Sequence, residues 1–311
     1  MTTPPAAELH VHIEGTLEPE LIYELAERNG IDLPYADLDD LRARYEFDDL
    51  QSFLDLYYAN MQVLVTAQDF TDLALAYLHR AAQANVVRAE LFFDPQAHLV
   101  RGVELSTVME GLGAAIKRSP SETGVEAALI ACFLRDRPPA EAVEVLSELI
   151  SLGAPIIGIG LDSAERDYPP RLFKEVFDLA AEHGLHRVAH AGEEGPADYI
   201  REALDVLGVE RVDHGVRCLE DADLVDRLVR DQVPLTVCPL SNVRLKGVAR
   251  MEDHPLKRML ELGLNVSIHS DDPAYFGGYV DDNFTAVRDA LGLTPQEEAK
   301  LAANSLASAF R

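Results

Sequence analysis

The sequence predicts an α/β fold: a (β/α)8 TIM barrel with a helical insertion after strand 1. Eight strand-like segments, several almost wholly apolar, alternate with helix-like segments through most of the chain. No Gly-x-Gly-x-x-Gly follows the first strand, which disfavours an open dinucleotide-binding sheet. Polar residues collect at strand C-terminal ends, where barrels of this kind carry their chemistry.

The strands are read at Ala7–His12, Val86–Phe93, Gly124–Phe133, Pro155–Leu161, Leu185–His190, Arg211–Val216, Leu235–Cys238 and Asn265–His269. Pro19 opens a helix with Leu21, Ile22, Leu25 and Ala26 at helical spacing, and Gly30 closes it. Arg171–His183 carries an apolar stripe and stops at Gly184; Pro255–Leu262 stops at Gly263. Thr294 and Glu297 form a capping-box pattern before the last helix. Regular alternation implies parallel strands joined by right-handed crossovers. Tyr35–Thr66 breaks it with mostly helical pattern, including Phe53, Leu54, Leu56, Tyr57 and Tyr58. Inserted at the C-terminal end of strand one, this segment is placed over the barrel mouth as a lid. With no linker, repeat, low-complexity tract or second-domain boundary, residues 1–311 read as one barrel domain.

Charge excludes some partners. Lys and Arg number 27 against 54 Asp and Glu, a net −27. No basic surface is available for nucleic acid or anionic lipid. Met1–Pro5 lacks a basic leader, and no apolar run approaches the ~18 residues of a membrane span, so the expected location is cytoplasmic. Cys132, Cys218 and Cys238 are odd in number and far apart, which fits a reducing cytosol. Homo-oligomerisation is left open.

The chemistry starts at His10-Val11-His12. Residues two apart on a strand share a face, so both imidazoles can point to the barrel axis. Strand five ends at His190, followed by Glu193; strand six ends Asp213-His214-Gly215; strand eight ends His269-Ser270-Asp271-Asp272-Pro273. Three or four imidazoles and a carboxylate converging on one mouth make a nitrogen/oxygen site suited to Zn²⁺. Singly, each feature has a plain structural reading: polar strand residues, a satisfied histidine, or a turn at Asp272-Pro273. The joint arrangement does not. His79, His98, His183, His186 and His254 have no such placement; His183 and His254 read as helix-end residues.

The segments Glu8–Leu17, His190–Glu193, Asp213–Gly215, Cys238–Asn242 and Ser270–Pro273 resemble, in order and over nearly the whole chain, the adenosine/adenine deaminase branch of the amidohydrolase superfamily. The resemblance implies one Zn²⁺ per subunit held by His10, His12, His190 and Asp271. It implies Glu193 as proton donor, His214 as the residue orienting the attacking water, and Asp272 as a hydrogen-bond partner of the purine ring. Such chemistry needs a hydroxide at neutral pH, which Zn²⁺ supplies, and a buried carboxyl kept neutral to protonate N1. Gly153–Asp167 contains no Lys, so the carbamylated lysine of two-metal relatives has no counterpart.

Within the branch, three features resemble members acting on the free base. Glu14 stands where nucleoside-acting members carry Asp, and a longer carboxylate there would fill sugar space. The loop Asp272–Tyr279 and the segment Gly160-Leu161-Asp162-Ser163 are the other two, with Gly160 and Asp162 as substrate-binding candidates. Asp162-Ser163 and Ser241-Asn242 also fit helix caps. His269 departs from the Asn expected there; it reads either as a partner to a metal ligand or, preferably, as a tolerated substitution. The expected reaction is deamination of adenine to hypoxanthine and ammonia. Adenosine, an N6-substituted adenine or another 6-aminopurine is the alternative substrate, and a catalytically silent purine-binding protein the alternative class.

Overall fold

The computed structural model describes residues 4–310; Met1–Thr3, part of the segment read for a leader, lie outside the described residues. Eight parallel strands run in chain order: β1 (Ala6–His12), β2 (Val86–Phe93), β3 (Glu126–Leu134), β4 (Ile156–Asp162), β5 (His186–Ala191), β6 (Arg211–His214), β7 (Pro234–Val237) and β8 (Asn265–Ile268). Each pairs in parallel with the next. Helices occupy the connections, so the strands are covered on their outer face and filled by side chains inside. All seven residues of β1 are buried, which explains why its sequence lacks strict apolar–polar alternation.

The seam between β8 and β1 is closed by few backbone bonds. The His12 N–H donates to Asp271 O at 3.0 Å, and the Asp271 N–H donates to His10 O at 3.0 Å. Below them side chains take over the ladder. The Leu9 N–H donates to His269 Nδ1 (3.1 Å), leaving Nε2–H for Ser267 Oγ (2.8 Å). Glu8 accepts from the Ser270 N–H (3.1 Å) and hydroxyl (3.2 Å). Ser305, on the C-terminal helix Pro295–Ser308, accepts the Ala7 N–H at 2.9 Å. Thus His269 completes the barrel wall; neither expectation for it anticipated that its ring would replace a backbone acceptor.

The insertion lies where it was expected. After α1 (Pro19–Asn29) come α2 (Leu38–Ala43) and α3 (Leu50–Asn60), and then α4 (Ala67–Gln83) returns to the barrel wall. Asp49 caps α3, and Leu50, Phe53, Leu54, Tyr57 and Tyr58 line a cavity at the strand C-terminal ends. The capping box at Thr294 forms as read.

Several boundaries differ. The expected helix over 171–183 is a 3-10 turn at Pro170–Phe173 followed by an α-helix at Lys174–Glu182. β6 stops at His214 because Gly215 turns the chain in the left-handed region (φ 68°). His254 does end a helical segment, as the C-cap of the 3-10 turn Met251–Asp253, but it is buried rather than solvated: its Nδ1 accepts the Leu256 N–H (3.1 Å) and Nε2–H donates to Asn242 Oδ1 (3.1 Å). Ser241 and Asn242 lie inside the helix Pro239–Arg244 rather than capping one. No helix among the described residues is long and apolar enough to cross a membrane.

The N-terminal end of the barrel is tied by a buried ion pair. Arg211 and Glu90 have fully buried side chains, with Nη1 donating to Glu90 Oε2 at 2.7 Å and Nη2 to Leu9 O at 3.1 Å. Arg211→Met removes the buried partner of Glu90 and leaves it only the longer contact to Arg88 (3.5 Å) and the Phe310 N–H, so urea unfolding should show a loss of about 3–5 kcal/mol. Adding Glu90→Gln should restore part of that loss; an unchanged midpoint in the single variant would refute the assignment.

Candidate active site

β1, β5 and the turn after β8 bring four donor atoms together in a pocket shielded from solvent. His190 Nε2 lies 3.1 Å from His10 Nε2 and 3.2 Å from His12 Nε2. Asp271 Oδ1 lies 3.4 Å from His10 Nε2 and 3.5 Å from His12 Nε2. Zn–N bonds of 2.0–2.1 Å at tetrahedral angles would put ligand atoms roughly 3.3 Å apart, so these residues fit a cation of that kind. His10 is oriented for it, because Nδ1–H donates to Thr236 O at 3.1 Å and leaves Nε2 bare. Burial drives His12 to about 4 and His190 well below the usual imidazole value, so both lone pairs are free at neutral pH. Burial opposes ionisation of Asp271, but His10, His214 and His12 around it hold its carboxyl well below the usual range.

His214 belongs to the same cluster: one donor atom each from His10, His190, His214 and Asp271 falls within 4.8 Å of the others. Its Nε2 sits 3.7 Å from Asp271 Oδ2 and 3.5 Å from Glu193 Oε2, and neither ring nitrogen has a partner. His12 Nε2 lies closer to Asp271 (3.5 Å) than His214 Nε2 does (3.7 Å), and it also contacts His190 at 3.2 Å. Backbone strain gathers here. His214 (φ 62°) and Asp271 (φ 64°) both sit in the left-handed region, a cost tolerated where a side chain must be aimed.

Glu193 lies three residues past His190 on a tight loop. The loop wraps the Glu165 carboxylate, which accepts four backbone N–H groups: Gly192 (2.7 Å), Glu193 (3.0 Å), Glu194 (2.7 Å) and Gly195 (2.7 Å). Burial, with Asp271 and Glu165 nearby, pushes the Glu193 carboxyl well above the usual range, which favours its protonated form. Asp272 is raised in the same way by burial and by Asp271, and its Oδ1 has no partner. Gly15 permits this placement: a methyl group there would lie 2.7 Å from the Asp272 Cα and overlap its carboxylate.

The cavity is walled by Phe53, Leu54, Tyr57 and Phe276 and floored by the cluster. Asp162 lines it, with Oδ2 3.5 Å from His12 Nδ1. Glu14 and Gly160 do not line it. Glu14 Oε1 accepts the Asp94 N–H (3.1 Å) and His98 Nε2–H (2.7 Å) behind the wall. Gly160 makes room for Cys132, whose Sγ a Cβ would approach to 2.5 Å.

Sequence reasoning missed Asp94, His98 and Glu165. Asp94 had a readable signal, since Phe93-Asp94-Pro95 ends strand two as other polar residues end theirs. Glu165 had none, because its partners are backbone groups in another loop. Glu165→Gln sets an amide nitrogen against backbone donors. It should lower stability by about 2–4 kcal/mol, seen as a lower unfolding midpoint; an unaltered midpoint would contradict the loop's dependence on this carboxylate.

Comparison with known proteins agrees with this geometry. Residues 5–311 match the family described as Adenosine deaminase. An adenine deaminase of Streptomyces coelicolor is 60% identical over 306 residues, covering 98% of this chain and 90% of that one. The crystal structure of an adenine deaminase from Arthrobacter aurescens superposes with a TM-score of 0.98 at 62% identity, covering 99% of this chain and 94% of that one. The crystal structure of an amidohydrolase from Burkhoderia ambifaria, with bound Zn, superposes with a TM-score of 0.91 at 27% identity, covering 99% of this chain and 86% of that one. The chain belongs to the adenosine deaminase family.

Proposed function

We propose that this chain is a Zn²⁺-dependent adenine aminohydrolase that converts adenine to hypoxanthine and ammonia in purine salvage. The observation that carries the reading is the meeting of three bare imidazole nitrogens and Asp271 at 3.1–3.5 Å beside Glu193. The relatives named adenine deaminase, at 60% and 62% identity, support the substrate.

His10, His12, His190 and Asp271 would hold one metal ion. When bound, Zn²⁺ supplies hydroxide at neutral pH by lowering the pKa of water from 15.7 to roughly 7. The chain's own residues do the rest. Glu193 holds its proton at a carboxyl facing the ring and donates it to N1, which makes C6 electrophilic. His214 lies between Glu193 and Asp271 with its nitrogens unpartnered, placed to steady the attacking water. Asp272, protonated and 4% exposed, donates to a ring nitrogen of the purine. Asp162 lies on the cavity wall and orients His12 from behind. The aromatic side chains of α3 cover the flat ring and exclude water. Three free, buried cysteines support a reducing cytoplasmic setting.

Purified protein should release ammonia from adenine faster than from adenosine or an N6-substituted adenine at equal concentration, with about one Zn²⁺ per subunit by elemental analysis. Equal turnover of adenosine would overturn the free-base reading. Chelation should abolish the rate and added Zn²⁺ restore it. Glu193→Gln should keep the metal while turnover drops at least ~10²-fold, as expected when a general acid is removed. Retained turnover would reject that role.

A further inference from the structure

Two buried carboxyls at the cavity wall are left with free acceptor oxygens. Asp94 follows β2 and Asp162 ends β4; each is 2% exposed, and a carboxylate oxygen of each lies within 4.8 Å of the other and of a His12 ring nitrogen. Oδ1 of Asp94 and Oδ1 of Asp162 have no partner, and both residues line the cavity. The pair cannot swing away. The Asp94 backbone N–H is held by Glu14, and Glu14 by His98 Nε2–H; Arg101 Nη2 donates to His98 Nδ1 at 2.7 Å behind them. Pro95 further restricts the Asp94 backbone.

Unpaired buried acceptors are costly unless a ligand supplies a donor. A purine placed with C6 at the metal cluster commits its exocyclic amino group there. The remaining donor of the free base is the N–H of its five-membered ring, which a nucleoside has replaced by a carbon.

We infer that Asp94, held in place by Glu14 and Asp162, is a specificity-determining residue whose free carboxyl oxygen accepts the five-membered-ring N–H and so selects the free base. This rests on the cavity being the adenine site proposed above. It moves the selection assigned to Glu14 from contact with the ligand to support of Asp94.

The zinc-loaded protein separates the two claims. Turnover of adenine by the wild type tests the reaction; the inference is read from binding of the product. In titration calorimetry, the wild type should bind hypoxanthine about 10–100-fold more tightly than 9-methylhypoxanthine, the range expected for one charge-assisted hydrogen bond. Asp94→Ala should lose that preference by weakening hypoxanthine while leaving 9-methylhypoxanthine within about threefold. Asp94→Asn, which retains an acceptor oxygen, should keep part of it. Equal weakening of both ligands by Asp94→Ala would mark a merely structural role and overturn the inference. If the alanine variant does not fold, the wild type still decides: equal affinity for the two ligands, with adenine turnover intact, would overturn the assignment of Asp94 alone.

Discussion

Everything at the mouth of this barrel depends on desolvation. His10, His12, His190, His214, Asp271, Asp272 and Glu193 are packed into a space from which water is largely excluded. Charged forms are expensive there, so burial pushes His12, His190 and His214 toward the neutral form and Glu193 and Asp272 toward the protonated one, while at His10 the neighbouring Asp271 outweighs burial and raises the imidazole. One environment thereby favours unprotonated imidazoles at His12 and His190 and protonated carboxyls at Glu193 and Asp272. Asp271 escapes the trend because it is ringed by imidazoles, which makes it the anionic member of the cluster.

Such a concentration of polar groups is held by supports that are themselves polar. Thr236 turns His10, Asp162 backs His12, and Asp213 lies 3.7 Å from His190. The Glu165 carboxylate fastens the Glu193 loop through backbone donors, and Gly15 lets the turn after β1 approach Asp272. The left-handed backbone at His214 and Asp271 adds local strain, which is stable only because neighbouring elements over-determine both positions.

The two ends of the barrel divide the work. At the N-terminal end, the fully buried Arg211 and Glu90 neutralise one another and bind backbone groups. At the C-terminal end, donors and acceptors are deliberately left open, and the α3 aromatics cover them. The seam between β8 and β1 joins both. His269 replaces a missing ladder acceptor lower down, while Asp271 pairs directly with His10 and His12 at the top. The same short stretch therefore closes the wall and delivers a metal-ligand candidate.

The eight strands, the insertion and the residues His10, His12, His190, Glu193, His214, Asp271 and Asp272 were legible in the sequence, because they obey local rules. Apolar runs mark buried strands, period-two spacing aligns His10 with His12, and polar residues at strand ends mark the mouth. Tertiary structure decided what depends on partners distant in the chain. His269 became a wall residue because Leu9 lacked an acceptor, and Glu165 a loop fastener because four N–H groups converged on it. Glu14 turned from the cavity to support Asp94, since His98 and a backbone donor met its carboxylate first. Residue type and spacing set which chemistry is available; only the packed barrel sets which lone pairs remain unspent.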